Sequence, residues 1–222
     1  MTDFGLELDH VVIFTAKDAP EAAALAPHLQ GFGGVTVHGE LGSASTSFFF
    51  TSMYLELLWA TDPAACARNF LPLGLDINAR MRWRETGGSP FGLMLRQKPG
   101  EAEPIPFATK TLHAAWMPGD VHVQFSGERL AEPYYGVVPE PLGFPSFRAN
   151  IPALPHPCGA RVLTGVHLSM TDAPSEIARL VSDAGLATVE RGPEPLMTLT
   201  FDDGAQGQSM DVRPTLPLVL KF

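Results

Sequence analysis

Residues 9–60, DHVVIFTAKDAPEAAALAPHLQGFGGVTVHGELGSASTSFFFTSMYLELLWA, decide the fold of this 222-residue chain. The opening run, 9–15, is β-branched and apolar at both parities, as a strand covered on both faces requires. The DAPE at 18–21 predicts a helix start. Asp18 serves as cap, Pro20 fits the first turn and Glu21 closes a capping box. Pro27 shortens or kinks that helix, and it ends towards Gly31 to Gly34, where glycine allows positive φ. Three strand-like runs follow, at 35–41, 46–51 and 53–60. The order is βαβββ.

The last sixty residues repeat that order. A strand at 165–170 leads into a helix opened by TDAP at 171–174, with Ile177, Leu180 and Val181 at helical spacing and Gly185 as its stop. Strands at 187–191 and 196–201, a turn at Asp202-Asp-Gly204 and a last stretch at 209–222 complete it. Pro214 and Pro217 confine that last stretch to an edge or an irregular strand. The two copies share more than order. Each opening strand carries a histidine, His10 or His167, and each closing strand an acid, Glu56 or Asp211, at spacings of 46 and 44 residues.

The middle, 62–160, is helical in places between 62 and 84, broken by Pro72 and Gly74. Strands are expected at 91–96 and 121–125, a loop at 98–106 and an irregular, proline-dense wrap at 132–157. No linker interrupts it. The chain is therefore expected to be a single domain, 1–222, with a first module at 8–61, an irregular segment or degenerate module at 62–160 and a last module at 161–222.

Composition excludes several classes. With 21 glycines and 21 prolines, well above the roughly 12% of average usage, a bundle of long helices is ruled out. Hydrophobic residues at 45% and charged residues at 18% exclude disorder as the main state. A net charge of -9 argues against nucleic acid, which demands a positive field. The N-terminus has no basic region followed by an apolar one, and the richest apolar run, 48–59, is too short to span a bilayer. With Cys66 and Cys158 far apart, the expectation is a cytoplasmic chain with reduced thiols, one disulfide being the alternative.

His10 and Glu56 demand explanation. A carboxylate inside MYLELLW is costly to bury without a cation, a metal or a strong donor. An imidazole and a carboxylate joined by strand pairing make a half-site for a divalent ion, or else a buried hydrogen-bonded pair. His167 and Asp211 form a weaker counterpart, since Asp is shorter and its strand irregular.

The βαβββ unit with histidine on its first strand and an acid on its fourth resembles the vicinal oxygen chelate superfamily of glyoxalases, extradiol dioxygenases and bleomycin-binding proteins. LDHVVI at 8–13, the GSAST loop at 42–46, FFF at 48–50 and YLEL at 54–57 resemble its glyoxalase-like branch. So do FPSF at 144–147 and His156-Pro157. That branch usually has a loop close to Gly-Thr-Ala-Asn-Arg; here Gly42 and Ala44 remain, while Ser45 and Thr46 replace its Asn and Arg. The resemblance implies an α+β fold of repeated βαβββ modules, forming a curved mixed sheet around a cavity. It implies His10, Glu56, His167 and Asp211 as metal ligands, and Glu56 as the catalytic carboxylate. The ion would be Zn, Ni, Mn, Mg or Fe(II), and the chemistry that of an isomerase, lyase or dioxygenase acting on a small oxygenated substrate. The alternative is a metal-free binding or sequestration protein of the bleomycin-resistance type. A homodimer is plausible, with no nucleic-acid or membrane partner.

Other residues read as ordinary. Arg80, Arg82 and Arg84 with Trp83 predict a solvated helix face, an anion contact being the lesser alternative. Arg96 and Arg148 end apolar runs and read as structural, though either could hold a substrate carboxylate. His38, His113 and His122 lack a paired acid at ligand spacing, and His156 reads as positional. No P-loop, GxGxxG after a strand, GxSxG or HExxH occurs, so nucleotide and triad chemistry have no support.

Overall fold

The computed structural model describes residues 5–100, 104–151 and 154–222. Parts of the expected 98–106 loop and 132–157 wrap therefore lie outside the described residues. The strands are β1 (Leu6–Phe14), β2 (Thr36–Val37), β3 (Ser43–Phe49), β4 (Tyr54–Ala60), β5 (Phe91–Gln97), β6 (Lys110–Leu112) and β7 (Val123–Ser126). They continue with β8 (Tyr134–Val138), β9 (Leu163–Met170), β10 (Thr188–Arg191), β11 (Leu196–Phe201), β12 (Ser209–Asp211) and β13 (Leu218–Lys221). The helices are short: α1 (Pro63–Phe70), α2 (Ile77–Met81), α3 (Trp83–Thr86), α4 (Phe144–Arg148) and α5 (Glu176–Asp183).

Two sheets form an α+β fold. The larger is a curled, mixed, eight-stranded sheet in the order β2-β3-β4-β1-β5-β8-β7-β6. It is built from two halves with the same plan. β1 lies parallel to β4, β5 lies parallel to β8, and β1 and β5 run antiparallel as the seam. The first module thus shares its sheet with strands of the middle segment. Residues 163–221 form the second sheet, β10-β9-β11-β13-β12.

The alternation of side chains sorts the larger sheet into two faces. Val11, Ile13, Leu55, Leu57, Leu93 and Leu95 pack with Leu168, Met197, Leu199, Leu218 and Leu220 of the second sheet in one core. The opposite, curved face carries Val12, Phe14, Leu58, Met94, Phe125 and Tyr134, closed by Phe70, Leu75 and Ile77. β1 and β4 are covered on both sides, which is why they read as apolar at both parities.

Several local expectations are corrected. The helix expected after Asp18 is a single 3-10 turn, Pro20–Ala24, whose cap position is held by Ala19 at φ 44°. Asp18 itself sits at φ 65°, and Glu21 accepts from the Ala16 N–H instead of closing a capping box. Proline at both 20 and 27 leaves too little chain for α-helical bonds. The run at 35–41 pairs only over Thr36–Val37. Tyr134–Val138, expected as irregular wrap, is a wholly buried strand, because Pro133 and Pro139 bound it and do not interrupt it. Cys66 and Cys158 are both free, and no described helix is long and apolar enough to cross a membrane.

The stretch expected as a loop at 42–46 is a turn residue, Gly42, followed by the start of β3, and Gly42 admits no substitute without strain. Its φ is 75°, and a Cβ there would lie 2.6 Å from Ala65 Cβ and 2.7 Å from Asp62 O. Its carbonyl accepts from the Thr61 and Asp62 N–H groups and from Cys66 Sγ. Gly42→Ala is expected to cost about 1–3 kcal/mol, read from urea denaturation; an unchanged midpoint would mean that this turn relaxes freely.

Candidate functional site

The curved face of the larger sheet encloses a cavity of about 180 Å³. His10 and Glu56 reach its floor from neighbouring strands, since Val12 stands opposite Glu56 across the β1–β4 ladder and His10 lies two residues before it. His10 Nε2 is 3.6 Å from Glu56 Oε2. The Tyr54 ring, from the same face of β4, stacks on the imidazole with centroids 4.2 Å apart and planes 17° from parallel.

A β-bulge decides what holds His10. In an unbroken strand Asp9 and His10 would point to opposite faces. The β1–β5 register shifts between Leu8 and His10, and such a bulge re-aims the side chains beside it. Leu8 consequently joins the core between the sheets, not the face of His10 as strict alternation predicts. Asp9, with no exposed surface, turns to His10, and Asp9 Oδ1 lies 2.6 Å from His10 Nδ1. Asp9 Oδ2 accepts from Arg96 Nη1 at 3.1 Å and from the Phe144 N–H at 2.8 Å. Burial pushes the Asp9 carboxyl up, but the bonds and charge of His10, the Phe144 N–H and Arg96 outweigh it and hold the acid below its ordinary value. The ionised carboxylate accepts only, so Nδ1 of His10 carries a proton and Nε2 faces the cavity.

The sites expected from sequence separate into two groups. His10 and Glu56 meet, whereas His167 and Asp211 stand on the second sheet and do not join them. His167 Nε2 lies 2.9 Å from Glu190 Oε1 on the neighbouring strand. Asp211 is bonded to Arg213, which lowers its carboxyl to about 2. On the cavity face the β5–β8 half offers Met94 and Tyr134.

His38, expected to be ordinary, is not. It sits ahead of a 3-10 turn, Gly39–Leu41, at the cavity wall, where its Nε2 is 3.9 Å from Glu56 Oε1 and its Nδ1 is 2.9 Å from Ser43 Oγ. A histidine therefore flanks each oxygen of Glu56. His38 escaped notice because a loop, not a ladder, delivers it. Arg80 is a second correction, for it is fully buried behind Tyr134 and belongs to no solvated face. His156 is positional as expected, accepting from the Gln30 N–H and bonding Phe49 O, with burial lowering its pKa. Arg148 bonds only Ile151 O among the described partners.

Among the described residues no group of three or more His, Cys, Asp or Glu side chains is placed to hold an ion, but His10 and Glu56 stand at a spacing two ligands of one ion could share. Two ligands about 2.1 Å from one ion in tetrahedral geometry lie about 3.4 Å apart, close to the 3.6 Å between His10 Nε2 and Glu56 Oε2. A carboxylate on the far ring nitrogen is the usual support of a metal-binding histidine, and Asp9 takes that place.

No family model matches this chain, and no curated protein matches it. Solved structures do. A hypothetical protein from Staphylococcus aureus has a similar fold, with a TM-score of 0.55 and 11% identity over 97% of this chain and 98% of that one. Methylmalonyl-CoA epimerase from Mycobacterium tuberculosis matches at TM-score 0.41 and 12% identity, over 63% of this chain and 91% of that one. A hypothetical protein from Bacillus halodurans matches at 0.36 and 15%, over 61% and 94%.

Proposed function

We propose that this is a glyoxalase-like protein of the vicinal oxygen chelate type, in which His10 and Glu56 hold a divalent metal that binds a small oxygenated substrate. One observation supports the reading above the others: a carboxylate and an imidazole converge to 3.6 Å on the floor of a largely apolar cavity. When bound, the ion would supply Lewis-acid stabilisation of developing oxyanion charge, as isomerase, lyase and dioxygenase chemistry all need. The chain's own groups do the rest. Asp9 fixes the ring and tautomer of His10, Tyr54 covers its face, and the apolar walls exclude water from the reacting oxygens. Glu56 is the carboxylate at hand as ligand and proton acceptor.

The test is the metal content of protein purified without chelator. Wild type is expected to hold about one ion per chain, and His10→Ala and Glu56→Ala close to none, with circular dichroism unchanged. A full complement retained by both variants would overturn the assignment. The aromatic walls favour a second reading, binding of an apolar molecule without metal. Metal-free wild type that still takes up such a ligand would select it.

A further inference from the structure

We infer that the cavity is built for an uncharged, single-ring compound carrying a hydroxyl or carbonyl oxygen, and that it rejects the carboxylated counterpart of the same ring. The inference rests on the reading of this cavity as the small-molecule site, but not on a metal.

Size sets the first limit. An apolar cavity of about 150 Å³ accepts benzene, and this one measures about 180 Å³. The cavity, open at its mouth, accommodates one ring and a small substituent in its interior. The walls match such a guest, with Phe14, Leu58, Phe70, Met94 and Phe125 around it.

Charge sets the second. Among the described lining residues there is no lysine or arginine, and residues 1–4, 101–103 and 152–153 contain none. The two arginines nearest in the fold are committed elsewhere. Arg80 is bonded to four backbone carbonyls, and Arg96 to Glu7, Asp9 and Leu8 O. The one carboxylate of the lining is Glu56. In the metal-free protein an entering anion would lose its hydration, find no lysine or arginine and face the Glu56 carboxylate.

Hydrogen-bonding capacity sets the third. Neither the Tyr54 nor the Tyr134 hydroxyl has a hydrogen-bond partner among the described residues, and both side chains line the cavity. Tyrosine hydroxyls are protonated at neutral pH. They remain O–H donors to a neutral oxygen.

The experiment is calorimetric titration of chelator-treated protein at pH 7 with phenol, neutral there, and with benzoate, ionised there. Phenol is expected to bind and benzoate to bind at least about tenfold more weakly. Glu56→Gln, nearly isosteric, is expected to narrow that ratio by lifting the like charge. Leu58→Trp, which fills the cavity, should abolish phenol binding. Should that variant misfold, competition of phenol with benzene, which a cavity of this size accepts, tests the same site in wild-type protein. Benzoate binding as tightly as phenol, or no phenol binding at all, overturns the inference. Because the titration is done without metal, a chain that holds stoichiometric ion but refuses phenol would sink this inference alone. Wild type that holds no ion when purified without chelator, yet takes phenol, would sink the metal assignment alone.

Discussion

Arg80→Leu is expected to lower the unfolding free energy by about 3–5 kcal/mol. The Arg80 side chain has no exposed surface. Its Nη1 donates to Ser89 O at 3.1 Å and Glu132 O at 2.6 Å, and its Nη2 to Gly127 O and Arg129 O, both at 3.2 Å. Burial lowers its pKa to about 10, so the guanidinium stays charged at pH 7. It ties α2 to the 127–132 loop, which immediately precedes β8 and so sets where Tyr134 meets the cavity. Leucine would leave four carbonyls without their donor, each costing about 1–3 kcal/mol if water cannot reach it. Lysine offers a compact ammonium that cannot span the same carbonyls, so Arg80→Lys should recover only part of the loss. Urea denaturation reads both variants. A wild-type midpoint in Arg80→Leu would show that the loop is held by other means.

Asp9→Ala is the second large effect, expected at about 3 kcal/mol because Arg96 is left buried without one of its carboxylates. The change also unties the Phe144 N–H and frees the His10 ring. In metal titrations, if His10 ligates as proposed, affinity should fall about 10–100-fold in Asp9→Asn, as for other lost supports of a ligating histidine. The stability of this variant has a pH signature. The Asp9 carboxyl lies below its ordinary 3.8 in the folded chain, so its contribution is complete above that value and is lost as pH falls through the folded pKa. The gap between wild type and Asp9→Asn should therefore shrink as pH falls below about 4. A gap that widens under acid would contradict the depressed pKa.

Much of the fold was legible. β1 and β4 announce themselves because strands buried on both faces are apolar at every position, and Glu56 stands out because MYLELLW gives a carboxylate no reason to be there. β8 did not. YYGVV is as apolar as β1, but the prolines beside it resemble those of a loop, and proline bounds strands as readily as it breaks them. Arg80 misled for a related reason. RMRWR reads as charged surface by composition, but residues two apart do not share a helix face, and Arg80 points inward to the 127–132 loop while Arg82 and Arg84 stay exposed.

The site divides along the same line. Residue identity alone marked His10 and Glu56, since an ionisable side chain in a buried strand carries its own explanation as a demand. Tertiary structure decided everything that depends on a second strand. The bulge against β5 turned Asp9 onto His10, and a register shift is a property of two strands that neither encodes alone. The loop before β3 delivered His38 to Glu56. The pairing of β1 with β5 made the middle segment, and not the last βαβββ run, the other wall of the cavity. That choice left His167 and Asp211 on a separate sheet, because similar local patterns do not say which edge will find which partner until the whole apolar surface is buried at once.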